Sequence, residues 1–369
     1  MGGNALKNCE IRRVSAEEYR ILSVEVLHIL QETFPLRRIC IQKAYENKPD
    51  FGDLDILFEI RGEKDNVFTP ESLRELFNSK EVVYNGKHGH PDTPPDLFEK
   101  VFSLEYKGLQ VDIIPTLSEY FYSSYIYTSF NDLGNFMGRI AHKMGFKYGD
   151  KGLIYQFRTM EDHVSAEIKV SLDISKIFEF LGYDLYRFYK SFNNLEDIFE
   201  FVASSKYFHK DIYLLPNRNH KSRTRGLKRK NYNLFLKWLE EPTIKLINEY
   251  PWPSMEERGG RKDVEEFMMK AFTMFPQFRI DFIIERDRLE QEAEVKALFN
   301  GGIVKGITGL ENIELGNFMK YLRDFGATTT YKSLPLLIKT LNSPDNIQHF
   351  IKYHFMIYEI TNSAKEIKE

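Results

Sequence analysis

In Phe51-Gly52-Asp53-Leu54-Asp55-Ile56-Leu57-Phe58 two acids alternate with apolar residues. As a strand, its period of two sends Asp53 and Asp55 to one face and Leu54, Ile56 and Phe58 to the other. Two carboxylates then sit side by side above an apolar layer. Like charges this close repel, and keeping both ionised at neutral pH calls for a compensating cation. Mg²⁺, which prefers hard oxygen ligands, suits the pair. A third carboxylate is offered by Asp112 in Leu109-Gln110-Val111-Asp112-Ile113-Ile114-Pro115. This second strand is entered through the Lys107-Gly108 turn and points Val111 and Ile113 away from its acid. Asp53, Asp55 and Asp112 are therefore the candidate metal ligands.

The elements around these strands follow from local signals. Ser15-Ala16-Glu17-Glu18 reads as a capping box, and Tyr19, Leu22, Val26, Ile29 and Leu30 keep helical spacing behind it. Arg38 to Glu46 alternates as a strand and turns through Asn47-Lys48-Pro49-Asp50 into the acidic strand, as a hairpin. Thr69-Pro70-Glu71 starts a second helix that buries Leu73, Leu76 and Phe77. The loop from Gly86 to Asp96 holds His88 and His90, read as exposed polar residues. Val101–Tyr106 and Leu109–Ile114 form the hairpin that delivers Asp112, giving an antiparallel or mixed sheet with helices on its other face. Leu133, Phe136, Met137, Ile140, Ala141 and Met144 mark a helix stopped by Gly145. Ile168, Val170 and Leu172 alternate as a strand before Asp173 caps the next helix. Beyond about residue 185 strand signals fade. The expected fold class is α+β with a mainly helical C-terminal half.

The chain of 369 residues exceeds what one core usually serves, so two or three packed units are expected. With 51 Lys and Arg against 54 Asp and Glu, nucleic acid would have to bind through a local patch rather than net charge. No apolar run approaches the roughly 20 residues needed to cross a bilayer, and Met1-Gly2-Gly3-Asn4 lacks the plan of a signal peptide. Cys9 and Cys40, the only cysteines, form no metal-ligand spacing. A cytoplasmic protein with no membrane association is expected.

One local patch exists. From Asn217 to Lys230 there are seven cations, Arg218, Lys221, Arg223, Arg225, Lys228, Arg229 and Lys230, and no acid. Its composition is that of a phosphate-contact segment, with a solvated loop as the alternative.

Gly-Asp-Leu-Asp-Ile-Leu at 52–57 followed by Val-Asp-Ile-Ile-Pro at 111–115 resembles the catalytic palm of the DNA polymerase β nucleotidyltransferase superfamily, in particular the family X polymerases. Ile126-Tyr127-Thr128-Ser129-Phe130 stands where family X shows Tyr-Phe-Thr-Gly-Ser. Lys143-Met144-Gly145-Phe146 and Gly152-Leu153-Ile154-Tyr155 resemble its Lys-Gly-hydrophobic and Gly-Leu stretches, and Ile177–Gly182 the closing helix of its thumb. The resemblance covers roughly residues 15–185. It implies that Asp53, Asp55 and Asp112 ligate two Mg²⁺ or Mn²⁺ ions, and that Asp112 helps draw the proton from an attacking 3′-hydroxyl. It also implies that Gly52, Tyr127, Thr128 and Ser129 line the nucleotide site. Where the superfamily has a Gly-Ser or Gly-Gly turn, this chain reads Gln42-Lys43-Ala44-Tyr45-Glu46-Asn47-Lys48, which leaves Lys43 or Lys48 to contact the triphosphate. The start of the chain offers no counterpart of the helix-hairpin-helix and lyase domains of family X. Phe299–Val304, Thr308-Gly309-Leu310 and Leu315–Met319 faintly resemble the tail of bacterial tRNA nucleotidyltransferases and poly(A) polymerases, but the match is short and glycine-led and a plain helix-turn-helix accounts for it better.

The implied organisation is a palm over 1–125, a thumb-like nucleotide-contacting region over 126–190, and a helical polynucleotide-binding region over 191–369 containing the basic segment 217–230. The implied activity is transfer of nucleotides from NTP or dNTP to a polynucleotide 3′ end, RNA, tRNA or DNA, without a template. A templated repair-type polymerase, a nucleotidyltransferase acting on a protein or small molecule, and an inactive nucleic-acid-binding scaffold are the other readings.

Overall fold

The structure is a computed structural model that describes residues 5–85, 100–159, 161–241, 249–253 and 261–366. His88 and His90 lie outside them. The chain divides into two compact units, Met1–Arg279 and Ile280–Glu369, and the boundaries expected near 125 and 190 both fall within the first.

The first unit opens with β1 (Val14–Ser15), α1 (Ala16–Thr33), β2 (Ile39–Ile41), β3 (Asp50–Phe51), β4 (Asp53–Ile60), α2 (Pro70–Phe77), β5 (Val82–Asn85), β6 (Val101–Tyr106) and β7 (Leu109–Leu117). Five of these strands form a mixed sheet in the order β2-β4-β7-β6-β5. β4 and β7 run parallel at its centre, and every other neighbouring pair is antiparallel. Period-two alternation holds: Leu54, Ile56 and Phe58 of β4 and Leu109, Val111 and Ile113 of β7 are fully buried in one core with Leu22, Val26 and Leu30 of α1 and Leu73 and Phe77 of α2. Phe58, Phe68 and Phe102 meet edge to face across it at 5.1 and 5.2 Å. The acids are left on the opposite face.

Local signals set most boundaries. Ser15 caps α1 by accepting from the Glu18 N–H. The capping box is only half formed, because the Glu18 carboxylate binds the Arg12 guanidinium. Thr69 and Ser72 form a complete box at α2, with Pro70 in the first turn. Lys107 and Gly108 both take positive φ, 49° and 83°, in the turn that aligns β6 with β7. The expected strand over Arg38–Glu46 is shorter than its alternation suggested. Only Ile39–Ile41 pairs with β4, and β3 pairs with β1 instead. Gln42 N–H still donates to Asp55 C=O of β4 at 3.1 Å, and from residue 43 the backbone bonds elsewhere: Lys43 C=O accepts from Phe130 N–H at 2.6 Å, and Glu46 and Asn47 N–H donate to the carbonyls of Phe192 and Asn193.

The unit continues through α3 (Phe121–Thr128), α4 (Leu133–Lys143), a three-stranded antiparallel sheet of β8 (Phe146–Gly149), β9 (Gly152–Arg158) and β10 (Val164–Ser171), then helices α5 (Ile174–Leu181), α6 (Leu185–Tyr189), α7 (Leu195–Ala203), α8 (His220–Lys228), α9 (Lys230–Glu240) and α10 (Arg261–Met274). Gly145 takes φ 89° just past α4, and Asp173 caps α5 through the Lys176 N–H. No described residue after Ser171 is in a strand. The chain passes into the second unit within α11 (Pro276–Leu298), followed by α12 (Gly301–Thr308), α13 (Asn312–Thr328), α14 (Leu334–Leu341) and α15 (Pro344–Glu366). α12 and α13 are joined through left-handed Gly309, a helix-turn-helix over a core of Val304, Phe318, Leu322 and Ile338. The fold is α+β with a mainly helical C-terminal half. No helix among the described residues is long and apolar enough to cross a membrane.

Candidate metal centre

Parallel pairing sets Asp55 directly beside Asp112, with Asp53 beside Gln110. One carboxylate oxygen from each of Asp53, Asp55 and Asp112 lies within 4.8 Å of the others, and all three residues are half-buried. Hard oxygens at this spacing are able to hold a metal ion. The electrostatics agree with that fit. Burial, with Asp53 and then Asp112 adding to it, raises the Asp55 carboxyl to about 7. Burial also raises Asp112, although hydrogen bonds from Ser103 and Gln110 favour its ionised form. The Gln110 Nε2 donates to both Asp112 oxygens, at 2.9 and 3.0 Å. The site thus crowds negative charge while holding one carboxylate in a fixed orientation.

In front of Asp53 and Asp55 lies a cleft of about 120 Å³ lined also by Tyr19, Gln42, Lys43, Lys48, Phe51, Thr128 and Asn131. Tyr19 stacks on Phe51 at 3.7 Å, and the Lys48 ammonium lies over the Phe51 ring, 4.3 Å from its centroid. Burial lowers the Lys48 pKa, against the opposing pull of Asp53 and Asp55. Lys43 is exposed, but its backbone is held on both sides, its N–H donating to Ser129 Oγ at 3.3 Å.

Lys43, Lys48 and Thr128 therefore share the cleft with the acids. Tyr127 and Ser129 have other contacts. Tyr127 O–H donates to Asn135 Oδ1, and buried Ser129 donates to Tyr125 C=O at 2.7 Å. Gly52 is buried between β3 and β4 and is not among the positive-φ glycines. After α3 the backbone enters the left-handed region at two successive residues, Phe130 at φ 60° and Asn131 at 61°. That conformation is unusual for a bulky side chain. Phe130 is held in it by burial edge-on against Phe188 and Phe192 and by its bond to Lys43.

The segment 217–230 is mostly helix rather than loop, since Asn219 caps α8 through the Ser222 N–H. Lys221, Arg223, Arg225, Lys228 and Lys230 are exposed, and among the described residues none of them makes an ion pair or side-chain hydrogen bond. Two of the seven cations are differently used. Arg218 bonds Ser222 Oγ and lies over the Tyr232 ring. Arg229 pairs with Asp132, the residue preceding α4, at 2.5 Å. Asp132 adjoins Asn131 of the cleft, and Lys230 acts electrostatically on Asp50, so the end of the basic segment lies near the acidic site.

Sequence reasoning missed Tyr19, Gln110, Ser103 and Asn131. Gln110 was accessible to it, because a residue two before Asp112 shares its strand face. Tyr19 was not, since only tertiary packing brings the first turn of α1 to the acids. No protein-family model matches the sequence, and neither does any curated protein. The fold and site define an α+β protein whose central parallel strands present a carboxylate triad able to hold metal.

Proposed function

We propose that this protein is a metal-dependent nucleotidyltransferase that adds nucleotides from NTP or dNTP to a polynucleotide 3′-hydroxyl without a template. The observation that carries the reading is the convergence of Asp53, Asp55 and Asp112 beside a cleft walled by Lys43 and Lys48. Asp53 and Asp55 would hold the ions, and Asp112 would share them. When bound, two divalent ions polarise the reacting hydroxyl and the α-phosphate and offset leaving-group charge. The chain's own residues do the rest. Lys43 and Lys48 balance triphosphate charge in the cleft. Asp112, oriented by Gln110, accepts the proton of the 3′-hydroxyl on a carboxylate oxygen. The 3′-oxygen to α-phosphorus bond forms as the bond to pyrophosphate breaks.

The test is incubation of the protein with Mg²⁺ or Mn²⁺, each NTP and dNTP separately, and labelled single-stranded DNA, RNA, tRNA and primed template. Extension of single strands is expected. Extension confined to primed template would make the enzyme a templated polymerase, and no extension of any acceptor would overturn the reading.

A further inference from the structure

A second cavity lies on the acid-bearing face of the sheet, farther along β7. It has a volume of about 410 Å³, and its walls include Ile114, Thr116, Lys100, Lys147, Lys151 and Tyr120. Ile114 is two residues beyond Asp112 and shares its strand face, so the near wall begins about 7 Å from the triad. We propose that this cavity binds a phosphate of the acceptor strand upstream of its 3′ end, with Lys100 as the principal contact. The proposal rests on the acceptor being a polynucleotide.

Lys100 carries the inference. It is only 8% exposed, and its ammonium stands 5.2 Å from the Tyr84 ring centroid. Among the described residues it makes no ion pair or hydrogen bond. The stem is buried while the ammonium keeps some exposed area, so it stands at the cavity wall as a cation with no counter-charge beside it among the described residues. The carboxylates on the cavity wall do not fill that role. Glu167 is paired with Lys147 at 3.2 Å, and Asp150, the other acid, leaves the lining with three cations against two anions. A cation would be repelled there, and an apolar ligand would desolvate the lysines. A phosphate would receive the lysine ammonium groups. The cavity's distance from the triad suits a phosphate one or two nucleotides from the reacting end.

The test uses the full chain and a 5′-labelled single-stranded hexanucleotide, titrated by fluorescence anisotropy without NTP over a range of salt. Lys100→Met keeps length and apolar stem while removing the charge. It is expected to weaken binding about fivefold and to flatten the log–log salt slope by about 0.7, the increment of one single-strand phosphate contact. Lys100→Arg should restore both. Lys151→Met, on the rim, gives a second readout of the same sign should Lys100→Met fail to fold. Binding by Lys100→Met, or by Lys151→Met in that case, that matches wild type at every salt concentration would overturn the proposal. Nucleotide transfer is assayed separately. Extension by wild type with an unchanged slope in the variant defeats the pocket alone. Absence of extension defeats the nucleotidyltransferase reading, while the binding slope still decides whether the pocket takes phosphate.

Discussion

Asp55 and Asp112 are in-register neighbours on two parallel strands, with Asp53 completing a cluster whose oxygens fall within 4.8 Å. Their crowding stores repulsion in the metal-free protein. Asp53→Asn or Asp55→Asn should therefore abolish nucleotide transfer while leaving the thermal midpoint unchanged or a few degrees higher. Adding Mg²⁺ or Mn²⁺ should raise the midpoint of wild type and not of either variant, because ligands that bind only the native state stabilise it by mass action. Full activity in either variant would remove the triad from the mechanism.

The Gln110 amide bridges both oxygens of Asp112, so these two residues should separate kinetically from the cleft lysines. Asp112→Asn should lower kcat by several orders of magnitude with little change in nucleotide affinity, since its role is concentrated in the transition state. Gln110→Leu should lower kcat more mildly, by about tenfold, as the carboxylate loses its fixed orientation. Lys48→Met should chiefly raise KM for the nucleotide. A Lys48 variant altered only in kcat, or an Asp112 variant altered only in KM, would exchange the assigned roles.

The triad was legible because a strand has a strict period of two. Asp53 and Asp55 had to share a face once Leu54, Ile56 and Phe58 were buried, and Asp112 followed from Val111 and Ile113. What was not legible depends on partners distant in sequence. Nothing in Arg38–Glu46 says that pairing stops at Ile41. It stops because Lys43 and Glu46 bond backbone groups of Phe130 and Phe192 instead. The parallel pairing of β4 with β7 is likewise a property of the assembled sheet. In the basic segment the run of cations masks the Asn219 cap that begins a helix there, so composition alone does not separate a solvated loop from a phosphate-contact segment.

Glu59 gives a pH test of the sheet itself. Although burial opposes ionisation, the Arg38 side chain, its backbone N–H and Ser118 hold the Glu59 carboxyl at about 2. The Arg38 guanidinium approaches Oε1 to 2.6 Å, and Ser118 Oγ donates to it at 2.8 Å. A folded pKa below the unfolded value of 4.5 means that this contribution is complete above about pH 4.5 and is lost as pH falls toward about 2. Glu59→Gln should lower stability at neutral pH by about 1–3 kcal/mol. Its thermal midpoint should fall less steeply than wild type between those pH values. Parallel melting profiles across that window would show that Glu59 carries no such linkage.

The last prediction concerns α8. Lys221, Arg225 and Lys228 recur at helical spacing and form one exposed stripe, whereas Arg223 points to another side. Arg218 and Arg229 are engaged with Ser222 and Asp132. If the stripe holds the acceptor, neutralising Lys221, Arg225 and Lys228 together should flatten the salt slope of oligonucleotide binding by about two units, at roughly 0.7 per single-strand phosphate contact. KM for the acceptor should rise while that for the nucleotide stays nearly constant, because the stripe lines no part of the cleft beside Asp53 and Asp55. Arg229→Ala should act differently. It breaks the ion pair to Asp132 next to cleft residue Asn131, so it should alter nucleotide KM as well as the slope. An unchanged slope in the triple variant would make α8 a solvated helix and would favour a protein or small-molecule acceptor for the same carboxylate site.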